Sequence, residues 1–123
     1  MSQEFLRPLS ELQTPAQLLG VLTDIDDTLT TDGVVPDHVV AAIARLKDAG
    51  LKVVPITGRP VGWSVPFASA WPVDSIVAEN GAVALRRNAQ GSLDKLYQQD
   101  AEERASNFAK MQTVLEQIEA TVP

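Results

Sequence analysis

The chain contains no cysteine, which excludes a disulfide framework and a thiolate metal centre. It has no apolar run of 18 residues and no signal-peptide pattern, so a spanning helix is not expected and the chain is read as soluble and cytoplasmic. Basic residues are few. Ten Lys and Arg against sixteen Asp and Glu leave a net charge of −6, and no basic cluster interrupts that balance. Nucleic acid and anionic membranes are therefore not expected as partners. The single histidine, His38, falls in the first turn of a predicted helix, where a solvent-facing or helix-end role outweighs catalysis. Internal repeats and low-complexity segments are also missing. What remains is 123 residues, enough to bury roughly two thirds of the unfolded surface and fold as one small domain or part of a larger one.

Within that length, apolar strand-like segments alternate with helical periodicity, the pattern of an α/β fold with a parallel sheet. Residues Met1 to Gln17 form a polar leader with Pro8 and Pro15, expected to be irregular. Leu18 to Thr23 reads as the first strand and Thr30 to Val35 as a turn-rich loop. Pro36 opens a helix with Asp37 near its N-terminus and Val39, Ile43 and Leu46 spaced toward the sheet. Gly50 ends it. Leu51 to Ile56 is the second strand, Pro60 to Ala70 a short helix disturbed by Pro66, and Ser75 to Ala78 the third strand. Ala82 to Leu85 and Leu93 to Tyr97 flank the turn cluster Asn88-Ala89-Gln90-Gly91 and predict a hairpin. Ala101 to Thr121 predicts a helix whose stripe of Phe108, Met111, Leu115 and Ile118 is spaced by three, four and three.

The first strand runs into Asp24-Ile25-Asp26-Asp27-Thr28-Leu29-Thr30. On a strand, Asp24 and Asp26 point to one side, at the carboxyl end where open α/β sheets bind ligands. Carboxylates that close repel, so the site calls for a cation, a shared proton, or both, and Mg²⁺ held by oxygen ligands would satisfy it. Taken alone, the run also fits a solvated Asp-rich turn. A carboxylate nucleophile divides phosphoester hydrolysis into two easier steps and needs a neighbour that protonates the leaving oxygen and later deprotonates water. Asp26, two residues from Asp24, has that position. Thr57 and Gly58, at the end of the second strand, offer a hydroxyl and an approachable backbone for phosphoryl oxygens. By itself Thr57 fits a strand-ending turn before Pro60 equally well.

Asp24 through Leu29, followed by Pro55-Ile56-Thr57-Gly58-Arg59-Pro60 and Ala78-Glu79-Asn80-Gly81-Ala82, resembles the haloacid dehalogenase superfamily of phosphotransferring hydrolases. The likeness is to its sugar-phosphatase branch, whose cap is inserted after the third strand, and it covers about residues 18 to 86. The first family motif, Asp-x-Asp-x-Thr-Leu, is matched at every specified position. The resemblance implies Asp24 as a nucleophile forming an aspartyl-phosphate, Asp26 as general acid and base with its backbone carbonyl on Mg²⁺, and Thr57 with Gly58 as the holder of the phosphoryl group. It also implies Mg²⁺ as cofactor, bound through Asp24 and Asp26, and a small phosphorylated metabolite, a sugar phosphate, as substrate. Asp27, where the family usually has Gly, adds a negative charge to the turn.

The family also uses a Lys and a later acidic pair that this sequence does not supply in recognisable form. Lys52 opens the strand that Thr57 closes, roughly 16 Å away at about 3.3 Å per residue. Lys47 lies at the end of the preceding helix, and Lys95 and Lys110 fall beyond the core. Arg59 is the cation beside the second motif; a bound phosphate or a surface carboxylate would each satisfy it, and the surface pair is the commoner fate of a loop Arg. The expectation is thus a partial Rossmann-like core over residues 1–86, the N-terminal half of the family fold, and the start of a cap, a hairpin plus helix, over 87–123. The active site is expected to be incomplete in this chain. Two other classes stay open: a non-catalytic interaction module with the same half-fold, and a receiver-type signalling domain, which would need an Asp where the third strand is followed by Glu79-Asn80. Homo-oligomerisation is expected through an exposed first-strand edge or the C-terminal helix.

Overall fold

The computed structural model describes residues 8–11 and 18–122. The leader expected to be irregular lies mostly outside them; within it, Leu9–Glu11 form one 3-10 turn. The elements are β1 (Gly20–Asp24), α1 (Asp37–Asp48), β2 (Lys52–Ile56), α2 (Val61–Ala70), β3 (Ser75–Ala78), β4 (Val83–Arg87), β5 (Leu93–Tyr97) and α3 (Ala101–Thr121). The fold is α/β, and β3 and α3 coincide with the segments expected from periodicity. β1 starts two residues later than expected, and Leu18 and Leu19 ahead of it are exposed.

The five strands form one mixed sheet in the order β1-β2-β3-β4-β5. β1, β2 and β3 run parallel, with Asp24 opposite Ile56 and Ile56 opposite Val77. β4 then returns antiparallel beside β3, and β5 beside β4. The predicted hairpin thus continues the core sheet, and the boundary drawn at residues 86/87 falls inside β4.

Pro55 explains a weak point in the centre. It brings no N–H to the β3 side of β2, where a parallel ladder needs one. The gap is bridged on both flanks: Thr57 N–H donates to Val77 O at 2.9 Å, and Val53 N–H donates to the Asp74 carboxylate at 2.9 Å. Asp74 N–H answers to Val53 O at 3.0 Å. Lys47 at the end of α1 donates to Asp74 at 2.7 Å, and the Lys52 ammonium lies 3.5 Å from the same oxygen. Both lysines therefore sit at the amino end of the sheet.

One side of the sheet holds the core. Ile25, Ile76 and Leu85 are fully buried there with Ala68 and Trp71 of the α2 segment, and Val40 of α1 packs against the same cluster. Arg87 reaches back to the end of α2 and donates to the carbonyls of Ala68 and Ser69, satisfying acceptors that a helix C-terminus leaves open. On the opposite face Leu22, Ile56 and Leu96 are exposed. α3 begins with a capped turn, Asp100 accepting from Glu103 N–H at 2.8 Å, and its apolar stripe stays open, Phe108 and Met111 each being 60% exposed.

Candidate functional site

β1 ends at Asp24, and the chain turns immediately. Ile25 drives the turn: its side chain is fully buried, and its carbonyl accepts from the N–H groups of Thr28, Leu29 and Thr30. The two flanking carboxylates are thereby held outward on either side of an apolar anchor. Asp24 is exposed, with the Thr28 hydroxyl 3.5 Å from its Oδ2. Asp27 adopts φ 56°, the left-handed region, and donates its N–H to Thr30 Oγ1 at 2.8 Å. Asp is among the few non-glycine residues that tolerate this region, so the position that favours glycine is filled without breaking the turn.

The second strand brings its loop alongside. Because Asp24 is opposite Ile56, Thr57 follows directly beyond the end of β1. The Thr57 side chain is buried, and its Oγ1 accepts from Arg59 N–H at 3.1 Å, leaving the hydroxyl proton to donate elsewhere. Arg59 turns back over β1 and grips Asp26. Its Nε donates to both carboxylate oxygens at 3.1 Å, and its Nη2 donates to Oδ1 at 2.8 Å. That hydrogen bonding holds the guanidinium above its ordinary pKa; burial pulls the other way, and the attraction of the Asp26 charge adds to the rise. The same guanidinium lies 4.1 Å from the centroid of the Trp63 ring, a cation–π contact. Trp63 in turn packs at a tilt against Phe67 and Phe67 against Trp71, so a row of aromatic contacts along α2 ties Arg59 to the core.

Of the residues singled out from sequence, the structure joins Asp26 to Arg59 and Thr57 to the Arg59 backbone, and places Asp24 and Gly58 beside them in the two loops. The loop Arg found a carboxylate, as the commoner alternative expects, but that carboxylate is one of the site's own. Sequence reasoning missed Trp63 and the roles of Glu79 and Asn80. Trp63 lies four residues from Arg59, with α2 opening between them, which is the one signal that could have paired them. Glu79 is engaged in a helix cap: its Oε1 accepts from Val61 N–H at 2.9 Å. It does not stand free as the phosphoacceptor of a receiver domain would.

Among the described residues no three His, Cys, Asp or Glu side chains stand together so as to hold a metal ion. The donors nevertheless suit Mg²⁺, which takes one or two carboxylates and fills its octahedron with water and substrate phosphate. Asp24 is exposed, and no donor among the described residues bonds to the Asp26 carbonyl. The lysines at 47 and 52 do not reach this edge, being paired with Asp74 at the other. No helix among the described residues is long and apolar enough to cross a membrane.

A hypothetical protein from Geobacillus kaustophilus HTA426 is similar in structure, with TM-score 0.61 and 26% identity over 85% of this chain and 37% of that one. A haloacid dehalogenase-like hydrolase from Bacteroides thetaiotaomicron aligns with TM-score 0.53 at 22% identity over 66% of this chain and 31% of its own. A phosphatase of the haloalkanoate enzyme superfamily from the same organism aligns with TM-score 0.50 at 23% identity, covering 87% and 40%. The chain thus spans between 31% and 40% of the length of these structures. A search of curated proteins finds no match. The sequence model of the haloacid dehalogenase-like hydrolases matches residues 21–120, most of the chain, and the protein belongs to that family.

Proposed function

We propose that this chain carries the nucleophile-bearing part of a Mg²⁺-dependent phosphatase site for a small phosphorylated metabolite, of the sugar phosphate class. The observation that supports it most is the Arg59 fork on Asp26, which ties the loop after β2 to the carboxylates after β1. In the proposed reaction an Asp24 oxygen bonds to phosphorus as the bond to the leaving alcohol breaks. Asp26 gives that alcohol a proton. Water then attacks the aspartyl-phosphate and loses its proton to Asp26, freeing phosphate and regenerating Asp24. Thr57 hydroxyl and the backbone at Gly58 hold the phosphoryl oxygens. Mg²⁺, held by Asp24 and the Asp26 carbonyl, would neutralise charge on the transferring group. A bound phosphoryl group also offers Arg59 a second bidentate acceptor, which would release Asp26 for proton transfer.

The test is a titration of the ¹⁵N-labelled chain with Mg²⁺ and orthophosphate. Amide shifts confined to Asp24–Leu29 and Thr57–Arg59 are expected, with the Mg²⁺ response lost in Asp24→Asn. Absence of any response at both loops would refute the reading and favour a non-catalytic interaction module. A cytoplasmic location is part of this proposal, as is a cap that begins beyond β5, since β4 and β5 belong to the core sheet.

A second copy of the chain is the proposed occupant of the open α3 stripe. Phe108, Met111, Leu115, Ile118 and Val122 are spaced 3-4-3-4, the seam of a coiled coil, and are each about half exposed or more. Paired antiparallel about Thr113, Phe108 faces Ile118 and Met111 faces Leu115, while the two acidic bodies lie at opposite ends. The seam would remove on the order of 1,000 Å² of apolar surface from water, near the lower bound for a stable interface. Light scattering at micromolar concentration should give a dimer that Leu115→Glu converts to monomer; a monomeric parent chain would sink this assignment.

A further inference from the structure

The turn between β3 and β4 is more constrained than a connection of its length needs. Glu79, Asn80 and Gly81 all have positive φ, 53°, 54° and 102°. Consecutive left-handed residues, two of them with side chains, persist only where neighbouring bonds over-determine them. Besides the local bond from Ala82 N–H to Glu79 O at 3.2 Å, the bonds this turn makes go to the Thr57–Arg59 loop or to the helix that follows it. Asn80 N–H donates to Thr57 O at 3.2 Å, and Glu79 N–H donates to Arg59 O at 3.1 Å. A Cβ on Gly58 would lie 2.9 Å from Asn80 Oδ1, so the two loops touch and a side chain there would displace the Asn80 amide. Glu79 Oε1 accepts from Val61 N–H, the first N–H of α2, whose own N-cap, Pro60, has no side-chain acceptor to offer.

We propose that Glu79 and Asn80 form the positioning element of the phosphoryl cradle, and that Glu79 is the residue that fixes where the Arg59 guanidinium sits. Glu79 grips the chain on both sides of Pro60: its N–H binds the carbonyl before the proline and its carboxylate binds the N–H after it. Pro60 itself has no N–H, so that two-point grip sets the direction in which Arg59 leaves the loop. Asn80 holds Thr57 at one point, its N–H donating to the Thr57 carbonyl. Neither residue touches substrate. The assignment rests on the proposed phosphatase reading for its purpose, though the grip on Arg59 can be tested without it.

The experiment uses the side-chain Nε–H signal of Arg59, assigned by its loss in Arg59→Lys, together with orthophosphate titration in Mg²⁺. In the parent chain this signal is expected to be sharp and slow to exchange, since Nε–H is bonded to Asp26. In Glu79→Ala it should broaden or vanish, and the phosphate dissociation constant should rise about tenfold. Glu79→Gln keeps an oxygen that can accept from Val61 N–H and should restore both, a rescue that a general loss of stability would not produce. If Glu79→Ala fails to fold, Glu79→Asp carries the test: its carboxylate falls one methylene short of Val61 N–H, and the same loss is expected. A sharp Arg59 signal and unchanged phosphate affinity in Glu79→Ala or Glu79→Asp would overturn the assignment. Failure of the parent chain to bind phosphate would overturn the phosphatase reading, while the Arg59 signal alone would still decide the positioning role.

Discussion

Asp24→Asn is expected to reduce Mg²⁺-dependent hydrolysis of p-nitrophenyl phosphate by at least about 10³-fold, to the uncatalysed background, because losing the proposed covalent nucleophile closes the proposed pathway outright. The substitution is nearly isosteric, and Asp24 is exposed at the end of an edge strand with one long contact to Thr28, so the fold should be untouched. Circular dichroism and the urea midpoint should match the parent. The parent 123-residue chain is itself expected to be slow, well under the roughly 10 s⁻¹ typical of enzymes. Its lysines cannot share the phosphoryl charge: Lys47 and Lys52 are committed to Asp74 at the far edge, and Lys95 and Lys110 lie on β5 and α3. Arg59 is the cation bonded to the site carboxylates, and it is shared with Asp26; Arg104, at the β5 end of the same edge, lies over the Tyr97 ring. Each missing charge-stabilising group costs on the order of 10² to 10³ in rate. Turnover near 10 s⁻¹ would refute the argument from missing cations, and an active Asp24→Asn would refute the nucleophile.

Local patterns carried much of this into the sequence. β3 is bounded by Pro72-Val73-Asp74 on one side and Glu79-Asn80-Gly81 on the other, and α3 opens on an Asp cap and keeps its three-four spacing from Phe108 to Ile118. Both coincide with their expected ranges because punctuation and periodicity are properties of neighbouring residues. The partner of Arg59 is not such a property. Asp26 lies thirty-three residues away, and the pairing depends on the parallel register that sets Asp24 opposite Ile56. The same holds for the β4–β5 hairpin. Its two strands and turn are legible, but which strand it joins depends on the edge of β3 being free, and the structure adds it to the core sheet. The left-handed run at 79–81 was visible only as Asn-Gly, a turn signal that says nothing of what the turn grips. Sequence motifs located the carboxylates and the Thr57 loop; long-range hydrogen bonds decide how they are held.

Asp74→Ala is expected to lower stability by about 2–4 kcal/mol at pH 7, the largest effect foreseen outside the apolar core. The carboxylate carries two jobs there. It accepts from Val53 N–H, next to the place where Pro55 offers the β2–β3 ladder nothing, and it pairs with Lys47 at 2.7 Å, fastening the end of α1 to the sheet. Truncation leaves Val53, 1% exposed, with an N–H cut off from any partner and frees a half-buried ammonium. An unsatisfied buried donor costs about 1–3 kcal/mol and a charged hydrogen bond is worth about 1.5–3 kcal/mol. Asp74→Asn should fall between parent and Ala, because its amide oxygen still serves Val53 while the ion pair is gone. The same group makes the fold acid-sensitive in a defined direction. Burial pushes the Asp74 carboxyl up, but the hydrogen bonds from Lys47 and Val53 and the charges of Lys47 and Lys52 together hold it below its ordinary value. A carboxyl whose folded pKa lies below its unfolded one contributes stability that is fully present above the unfolded pKa, about 3.9, and is lost as pH falls through the folded pKa. The gap in urea midpoint between parent and Asp74→Asn should therefore be smaller near pH 3 than at pH 7. An Asp74→Ala chain as stable as the parent at pH 7, or a gap to Asp74→Asn that does not narrow in acid, would show that the β2–β3 junction is held by something other than this carboxylate.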